Sequence, residues 1–184
     1  MDPVEERAQQ VLASVPGYIW DGERLPIPID DIVDSVYGLL VREVDDMRAA
    51  PGAPELAPGQ SLSGLLLASR GEIWVNADEA RKWPPRRRFT IGHELGHWVM
   101  HRDGQQSLFC RHTSVDEEQV TPPPALAVPD IEEEASAFAA SLLMPSWLVI
   151  REHTRCGGDI ATLCGTFDAS GAAMKRRVSD LFHA

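Results

Sequence analysis

The chain has 184 residues, 43% of them hydrophobic, and its formal net charge at pH 7 is −11. This length and apolar content predict one compact domain with a substantial core. The acidic balance argues against a general nucleic-acid binder or a binder of anionic membranes, because either role needs a basic face. No apolar run resembles a signal peptide or a transmembrane helix, and the three cysteines lack CxxC spacing. We therefore expect a cytoplasmic protein with reduced thiols.

Hydrophobic periodicity and chain breakers divide the first half of the chain into two helices, a strand and a hairpin. The predicted elements are a helix over Val4–Val15, a helix that Asp30 caps and that ends near Val36, a strand over Gly38–Val44, and a hairpin over Leu62–Asp78 that turns at Ser69–Gly71. Ala49–Gly59 is rich in Pro, Gly and Ala, which predicts a loop. Arg81–Arg88, "RKWPPRRR", is a basic island that we interpret as a loop before the next helix.

The second half of the chain is predicted to be mainly helical. The histidine-bearing helix, within "RRRFTIGHELGHWVMH", follows this basic loop and precedes an irregular stretch, Arg102–Asp130, whose triple proline excludes helix. Further helices are predicted over Ile131–Leu143, Ser146–His153, Asp159–Phe167 and Ser170–Phe182. These elements predict an α+β fold, with a small β-sheet and hairpin packed on the histidine-bearing helix. We expect a main domain over residues 1–153 and a helical, helix-turn-helix-like segment over 154–184 that packs on it.

The histidine-bearing helix contains "HELGH", which fits H-E-x-x-H. Residues four apart lie one turn above each other on a helix, so His93 and His97 can present imidazole nitrogens to one metal ion. Zinc suits this arrangement, because a catalytic zinc keeps one position open for water. Zinc lowers the pKa of that water toward ~7, and Glu94 can take its proton as it attacks a carbonyl. We predict His93 and His97 as zinc ligands and Glu94 as the general base.

Two histidines make a weak site, so a third ligand is required. The next predicted helix, "IEEEASAFAASLL", begins with three glutamates, and its apolar stripe must face the core. Periodicity alone leaves both Glu132 and Glu134 as candidates. Negative charge also stabilises a helix N-terminus without any metal, so these glutamates have an alternative explanation.

Other polar residues near the motif are assigned less directly. His101 continues the four-residue spacing, but it would sit about 6 Å further along the helix axis than His97, too far to share the ion comfortably. We expect it to support the site or to pack in the core. His112 is a weaker candidate for a group near the metal. The oxyanion of a tetrahedral intermediate could be stabilised by His101, His112, Tyr37 or an arginine.

The two helices together resemble the ImmA/IrrE family of bacterial and phage metallopeptidases. The resemblance rests on "RRRFTIGHELGHWVMH" and "EEEASAFAASLLMP", preceded by "IWVN", and covers roughly Glu72–Pro145. It implies a gluzincin-like fold, a zinc ion and a third ligand from the second helix. The family's second motif reads E-x-E-A-N-x-F-A before L-L-M-P, and its first Glu falls at Glu132. Glu132 is therefore the implied third ligand, ahead of Glu134.

Ser136 stands where the family has Asn, a departure that concerns a hydrogen bond beside the metal site rather than the ligands. The resemblance also implies the class of substrate. Members of the family are known or thought to cleave helix-turn-helix repressors and so to release mobile-element or stress-response genes. We thus expect a metallo-endopeptidase whose partner is a DNA-binding repressor, with no direct nucleic-acid or membrane contact.

Two other functions compete with this interpretation. The C-terminal "DIATLCGTFDASGAAMKRRVSDL" resembles a helix-turn-helix whose second helix carries Lys175, Arg176 and Arg177, which would suit a DNA reader. The isolated basic triplet and the acidic net charge favour simple packing of these helices on the main domain. A zinc-containing regulatory or binding module without peptidase activity is the other alternative, against which the presence of Glu94 argues.

Overall fold

Eight α-helices and four strands make up the part of the chain that the structure describes. The computed structural model describes residues 2–50, 53, 61–101, 109–113 and 129–182, with the backbone path alone for 109–113 and 129–130. The helices are α1 Pro3–Ser14, α2 Ile29–Asp31, which continues as a π-helical turn over Ile32–Val36, α3 Ala77–Lys82, α4 Pro84–Met100, α5 Pro129–Leu143, α6 Ser146–Cys156, α7 Ile160–Phe167 and α8 Gly171–Phe182. The strands are β1 Leu40–Val44, β2 Ser61–Leu67, β3 Glu72–Asn76 and β4 Phe109–Thr113. The predicted α+β fold is confirmed.

The four strands form one sheet in the order β1-β3-β2-β4. β1 runs parallel to β3, whereas β2 is antiparallel to both β3 and β4. The hairpin between β2 and β3 turns at Gly71, whose φ of 63° is one that glycine adopts without strain. The predicted hairpin and strand are therefore present, each within a few residues of its expected bounds.

A β-bulge interrupts the pairing of β2 with β4. Leu62 is opposite His112 and Gly64 is opposite Arg111, so β2 carries one extra residue at this point. As a result Ser63 and Gly64 both face α4, while the leucines on either side of them face away from it. The bulge brings a strand backbone directly against the helix that carries H-E-x-x-H.

Two apolar clusters cover the two faces of the sheet. The larger core includes Leu66, Ile73 and Val75 from the sheet and buried residues from α1 and from α4 through α8. The smaller cluster consists of Met47, Ala50, Leu62, Leu65 and Leu67. Because the larger core draws on helices from both ends of the chain, it fixes α4 and α5 between the sheet and the terminal helices. None of the described helices combines the length and the apolar character of a membrane span.

Two glycines let α4 and α5 pack closely. A Cβ on Gly96 would lie 3.1 Å from the carbonyl oxygen of Ala135 and 3.1 Å from Phe138 Cδ1, tighter than ordinary van der Waals contact. A Cβ on Gly92, one turn earlier, would lie 3.4 Å from Ala139 Cβ. Gly92 and Gly96 lie one turn apart on the face of α4 that contacts α5. Because neither has a side chain, the two helices that carry the site can approach closely.

The basic island was wrongly predicted to be a loop, because it forms α3 and the start of α4. The Asn76 side chain caps α3 by accepting hydrogen bonds from the backbone N–H groups of Asp78 and Glu79. Pro84 starts α4, where a helix needs no backbone N–H. The arginines at the start of α4 have partners: Arg86 pairs with Glu79 at 3.0 Å, Arg87 pairs with Asp30 and Glu43 at 2.8 Å each, and Arg88 donates to the Ile27 carbonyl at 2.7 Å.

A second correction concerns the predicted irregular stretch Arg102–Asp130. Its residues 109–113 form β4, which pairs with β2 at one edge of the sheet. This strand has no strong apolar alternation of its own, and tertiary pairing decides its conformation. The triple proline and most of the loop predicted over Ala49–Gly59 lie outside the described residues.

The C-terminal helices α7 and α8 form the predicted helical pair, with Asp168 in a left-handed conformation (φ 49°) at the turn between them. Arg177, from the basic triplet, is buried at 8% exposure. Its guanidinium donates to the Met144 carbonyl at 2.9 Å and to both carboxylate oxygens of Glu5 at 2.7 Å. Arg177 thus ties α8 to α1 and to the end of α5 and is not presented to DNA. The division into residues 1–153 and 154–184 stays a prediction.

Candidate metal centre

α4 presents two imidazole rings to the same point. The Nε2 atoms of His93 and His97 lie 3.0 Å apart, and the two rings meet edge to face with centroids 4.7 Å apart. Both side chains are buried, at 1% and 0% exposure. The four-residue spacing in the sequence therefore produces convergent nitrogens, as the helix geometry predicts.

α5 adds one carboxylate to this pair. Glu132 Oε2 lies 3.2 Å from His93 Nε2, and Glu132 Oε1 lies 3.2 Å from His97 Nε2. One ligand atom from each of the three residues falls within 4.8 Å of the others. Of the two glutamates that periodicity left open, Glu132 is the one that contacts both histidines.

The directions of the pKa shifts of Glu132 and His97 favour metal binding. Burial alone raises the pKa of Glu132, but hydrogen bonds to His93 and His97 and their charges outweigh it and lower the pKa to about 2. Burial lowers the pKa of His97 and outweighs the opposing influence of Glu132. An ionised carboxylate and a neutral imidazole are the forms in which these groups bind a metal ion.

The donor set fits a divalent transition metal. Two imidazole nitrogens and one carboxylate oxygen are the ligand types of a catalytic zinc site, which leaves its fourth position open. A closed structural site would need a fourth donor, and the described residues within reach offer three. The residues that the sequence predicted as ligands are therefore brought together in an arrangement that can hold one ion.

Both histidines make a further contact through the ring nitrogen that faces away from this group. His93 Nδ1 lies 3.2 Å from Ser136 Oγ, so the serine that replaces the family's asparagine still contacts a predicted ligand. His97 Nδ1 lies 3.4 Å from Nδ1 of His101, and His101 Nε2 lies 2.9 Å from Glu134 Oε2. His101 thus supports His97, as expected, and Glu134 is engaged with His101 rather than with the predicted ligands.

Glu94 is wholly buried, at 0% exposure, against the bulge in β2. A Cβ on Gly64 would overlap the Thr90 methyl group and would lie 2.8 Å from Glu94 Oε1. Only glycine at position 64 therefore leaves room for the Glu94 carboxylate where it lies. Gly64 was not identified from the sequence, because its proximity to α4 depends on the bulge, although an isolated glycine in a strand is a recognised sign of close backbone approach.

A comparison with protein families decides what kind of protein this geometry belongs to. The family model Peptidase_M78, described as the IrrE N-terminal-like domain, matches residues 58–179. The chain belongs to this family. No curated protein matches the sequence. The predicted ImmA/IrrE resemblance is confirmed, and Peptidase_M78 membership supports a metallopeptidase type of function that uses a metal ion.

The Peptidase_M78 match runs from just before β2 into α8, so it includes both helices of the candidate centre and the strand that carries Gly64. Tyr37 and His112 were the other candidates for the site. Tyr37 packs against the larger core, where burial raises its pKa. His112 lies in β4, but its side chain is outside the described part of the chain.

Proposed function

We propose that the protein is a zinc-dependent endopeptidase that hydrolyses a peptide bond in a protein substrate. The observation that carries this proposal is the convergence of His93, His97 and Glu132 within 4.8 Å beside the buried Glu94. Two histidine ligands four residues apart on one helix, with a glutamate directly after the first of them, are typical of metal-assisted amide hydrolysis.

His93, His97 and Glu132 would hold the ion through Nε2, Nε2 and a carboxylate oxygen. A zinc ion held there would supply a Lewis acid able to polarise the scissile carbonyl and to acidify a water molecule. The chain's own contribution is geometric. The close packing of α4 on α5 supports the positions of the three donors, and contacts with Ser136 and His101 support the orientation of the two rings.

Glu94 is the proposed general base. Its carboxylate takes a proton from the attacking water as the oxygen bonds to the carbonyl carbon. When the carbon–nitrogen bond breaks, the same proton passes to the departing amine. Gly64 leaves room for the carboxylate in a buried position, where a charged group acts more strongly than in water.

We further propose that the substrate is a helix-turn-helix transcriptional repressor, whose cleavage derepresses stress or mobile-element genes. The support is the ImmA/IrrE resemblance together with electrostatics. A chain with a net charge of −11 attracts a basic DNA-binding protein and repels nucleic acid. The burial of Arg177 removes one of the three basic side chains that a DNA-reading role would use.

The test of the peptidase proposal compares the wild type with Glu94→Gln, which keeps the size of the side chain and removes its basicity. Both proteins are loaded with zinc and incubated with a peptide library, and new amino termini are identified by mass spectrometry. We expect cleavage by the wild type, a loss of ~100-fold or more in Glu94→Gln, and equal zinc content in the two. Equal cleavage by both proteins refutes Glu94 as the base. Zinc binding without any cleavage favours the non-proteolytic alternative.

The repressor proposal has a separate test. Purified helix-turn-helix repressors encoded beside this gene are incubated with the zinc-loaded wild type and with Glu94→Gln. We expect one of them to be cut at a single site by the wild type alone. If unrelated proteins are cut equally well, the protein is a general peptidase and the repressor proposal is wrong.

A further inference from the structure

The two candidate histidine ligands make different contacts through their Nδ1 atoms. His93 Nδ1 contacts the neutral hydroxyl of Ser136 at 3.2 Å. His97 Nδ1 contacts His101, which in turn contacts the carboxylate of Glu134 at 2.9 Å. His97 therefore stands at the end of a two-step connection to a negative charge.

The proton positions in this connection follow from the geometry. A metal ion on His97 Nε2 leaves the ring hydrogen on Nδ1, which must donate to the lone pair of His101 Nδ1 at 3.4 Å. His101 then carries its own hydrogen on Nε2 and donates it to Glu134 Oε2 at 2.9 Å. Each imidazole ring keeps one hydrogen and each contact has one donor. The series of hydrogen bonds ends on the charged carboxylate of Glu134. No other placement of the hydrogens leaves Nε2 of His97 free for a metal ion with both rings neutral and both contacts satisfied.

The burial of the three groups suits a relay that runs from the core to the surface. His97 is 0% exposed, His101 is 11% exposed and Glu134 is 52% exposed. The backbone helps to hold His101 in place, since its N–H donates to the His97 carbonyl at 3.0 Å at the end of α4. The carboxylate of Glu134 is thus exposed to water, while His101 connects it to the buried ring of His97.

We propose that Glu134 and His101 are positioning residues that fix the tautomer of His97 and so raise the affinity of the centre for its metal ion. A carboxylate behind a histidine ligand makes the ligating nitrogen more basic and locks the ring in its binding orientation. The inference rests on the metal-binding part of the proposed function and does not depend on the substrate.

The test measures zinc affinity by competition with a chromophoric chelator for the wild type, Glu134→Gln, His101→Gln and the double variant. Glu133→Gln is the matched control, because Glu133 is its exposed neighbour in α5 and loses the same charge from the same helix end. Thermal unfolding of the metal-free proteins shows whether any variant merely loses structure.

We expect Glu134→Gln and His101→Gln each to weaken zinc binding by ~10-fold or more. The double variant should have the same zinc affinity as whichever single variant binds zinc less tightly, because both substitutions break the same relay. Glu133→Gln should stay within about twofold of the wild type, with similar unfolding temperatures for all metal-free proteins. Equal affinities of Glu134→Gln and Glu133→Gln overturn the proposal, as do additive losses in the double variant. A wild type that binds no zinc overturns the metal centre and this inference together, whereas a failure confined to Glu134→Gln leaves the peptidase proposal standing.

Discussion

Gly64→Ala is the substitution that tests the proposed general base, Glu94, separately from the predicted metal ligands. The new Cβ would overlap the Thr90 methyl group and approach Glu94 Oε1 to 2.8 Å, and its nearest neighbours include no predicted metal ligand. Thr90 is β-branched and lies in the middle of α4, so its side chain has little freedom to move away. Glu94 is therefore pushed from its position while the ligands stay in place.

The size of the effect follows from the overlap. The Glu94 oxygen must retreat by roughly 0.6 Å or more, from 2.8 Å to an ordinary contact of 3.4 Å, and the Thr90 methyl must move further. Overpacking of this kind lowers the free energy of unfolding by about 1–3 kcal/mol. Displacement of a catalytic group by up to ~1 Å lowers turnover by up to about 100-fold.

The assay measures cleavage rate, zinc content and urea unfolding on the same protein preparations. Gly64→Ala should lose 10- to 100-fold in rate and retain about one zinc per chain. The double variant Gly64→Ala/Thr90→Ser, which lacks the overlapping methyl group, should recover stability but not rate. Gly165→Ala is the control, since a Cβ there meets nothing within 4 Å, and it should keep full activity. Full activity of Gly64→Ala, or loss of its zinc, would refute this account of the bulge.

Three further predictions concern the framework of the centre. Gly96→Ala should weaken zinc binding, because its Cβ would press on the Ala135 carbonyl and shift α5, which carries Glu132; an unchanged affinity in chelator competition argues against this. Glu5→Gln should lower the free energy of unfolding by about 3 kcal/mol at pH 7, because it breaks the buried pair with Arg177. Burial raises the pKa of Glu5, but the larger combined effect of its hydrogen bonds and of the charge of Arg177 lowers it overall. The stabilisation by this pair is therefore complete above the ordinary pKa of a glutamate and is lost as the pH falls through the lowered pKa. The free energies of unfolding of the two proteins, measured in urea, should converge at acid pH, and a constant difference contradicts the assignment. Removal of zinc with a chelator should lower the unfolding temperature of the wild type, and an unchanged temperature would mean that the folded protein holds no ion.

Much of the fold could be predicted because the longer elements carry strong local signals. The bounds of α1, α7 and α8 differ from their predictions by one residue at most, since capping residues and prolines mark them. α3 was missed although Asn76 is a good cap, because its six residues are too few to show helical periodicity and two prolines follow. β4 was missed because a short strand at a sheet edge depends on its partner, here β2.

The candidate centre shows the same division between local and tertiary information. His93 and His97 could be predicted from helix geometry alone, because both lie on one element. The choice between Glu132 and Glu134 could not, since it depends on how α5 crosses α4, and the close contacts at Gly92 and Gly96 set that crossing. Family resemblance supplied Glu132, and the structure places it 3.2 Å from both histidines.

The most direct test of the central claim is the zinc content of the wild type and of Glu132→Ala, both purified without added metal and measured by elemental analysis. The account predicts about one zinc per wild-type chain and almost none in Glu132→Ala, with Glu134→Ala keeping far more zinc than Glu132→Ala at the same protein concentration. A folded wild type without zinc, or a Glu132→Ala variant that keeps its zinc while Glu134→Ala loses it, would contradict the metal centre described here.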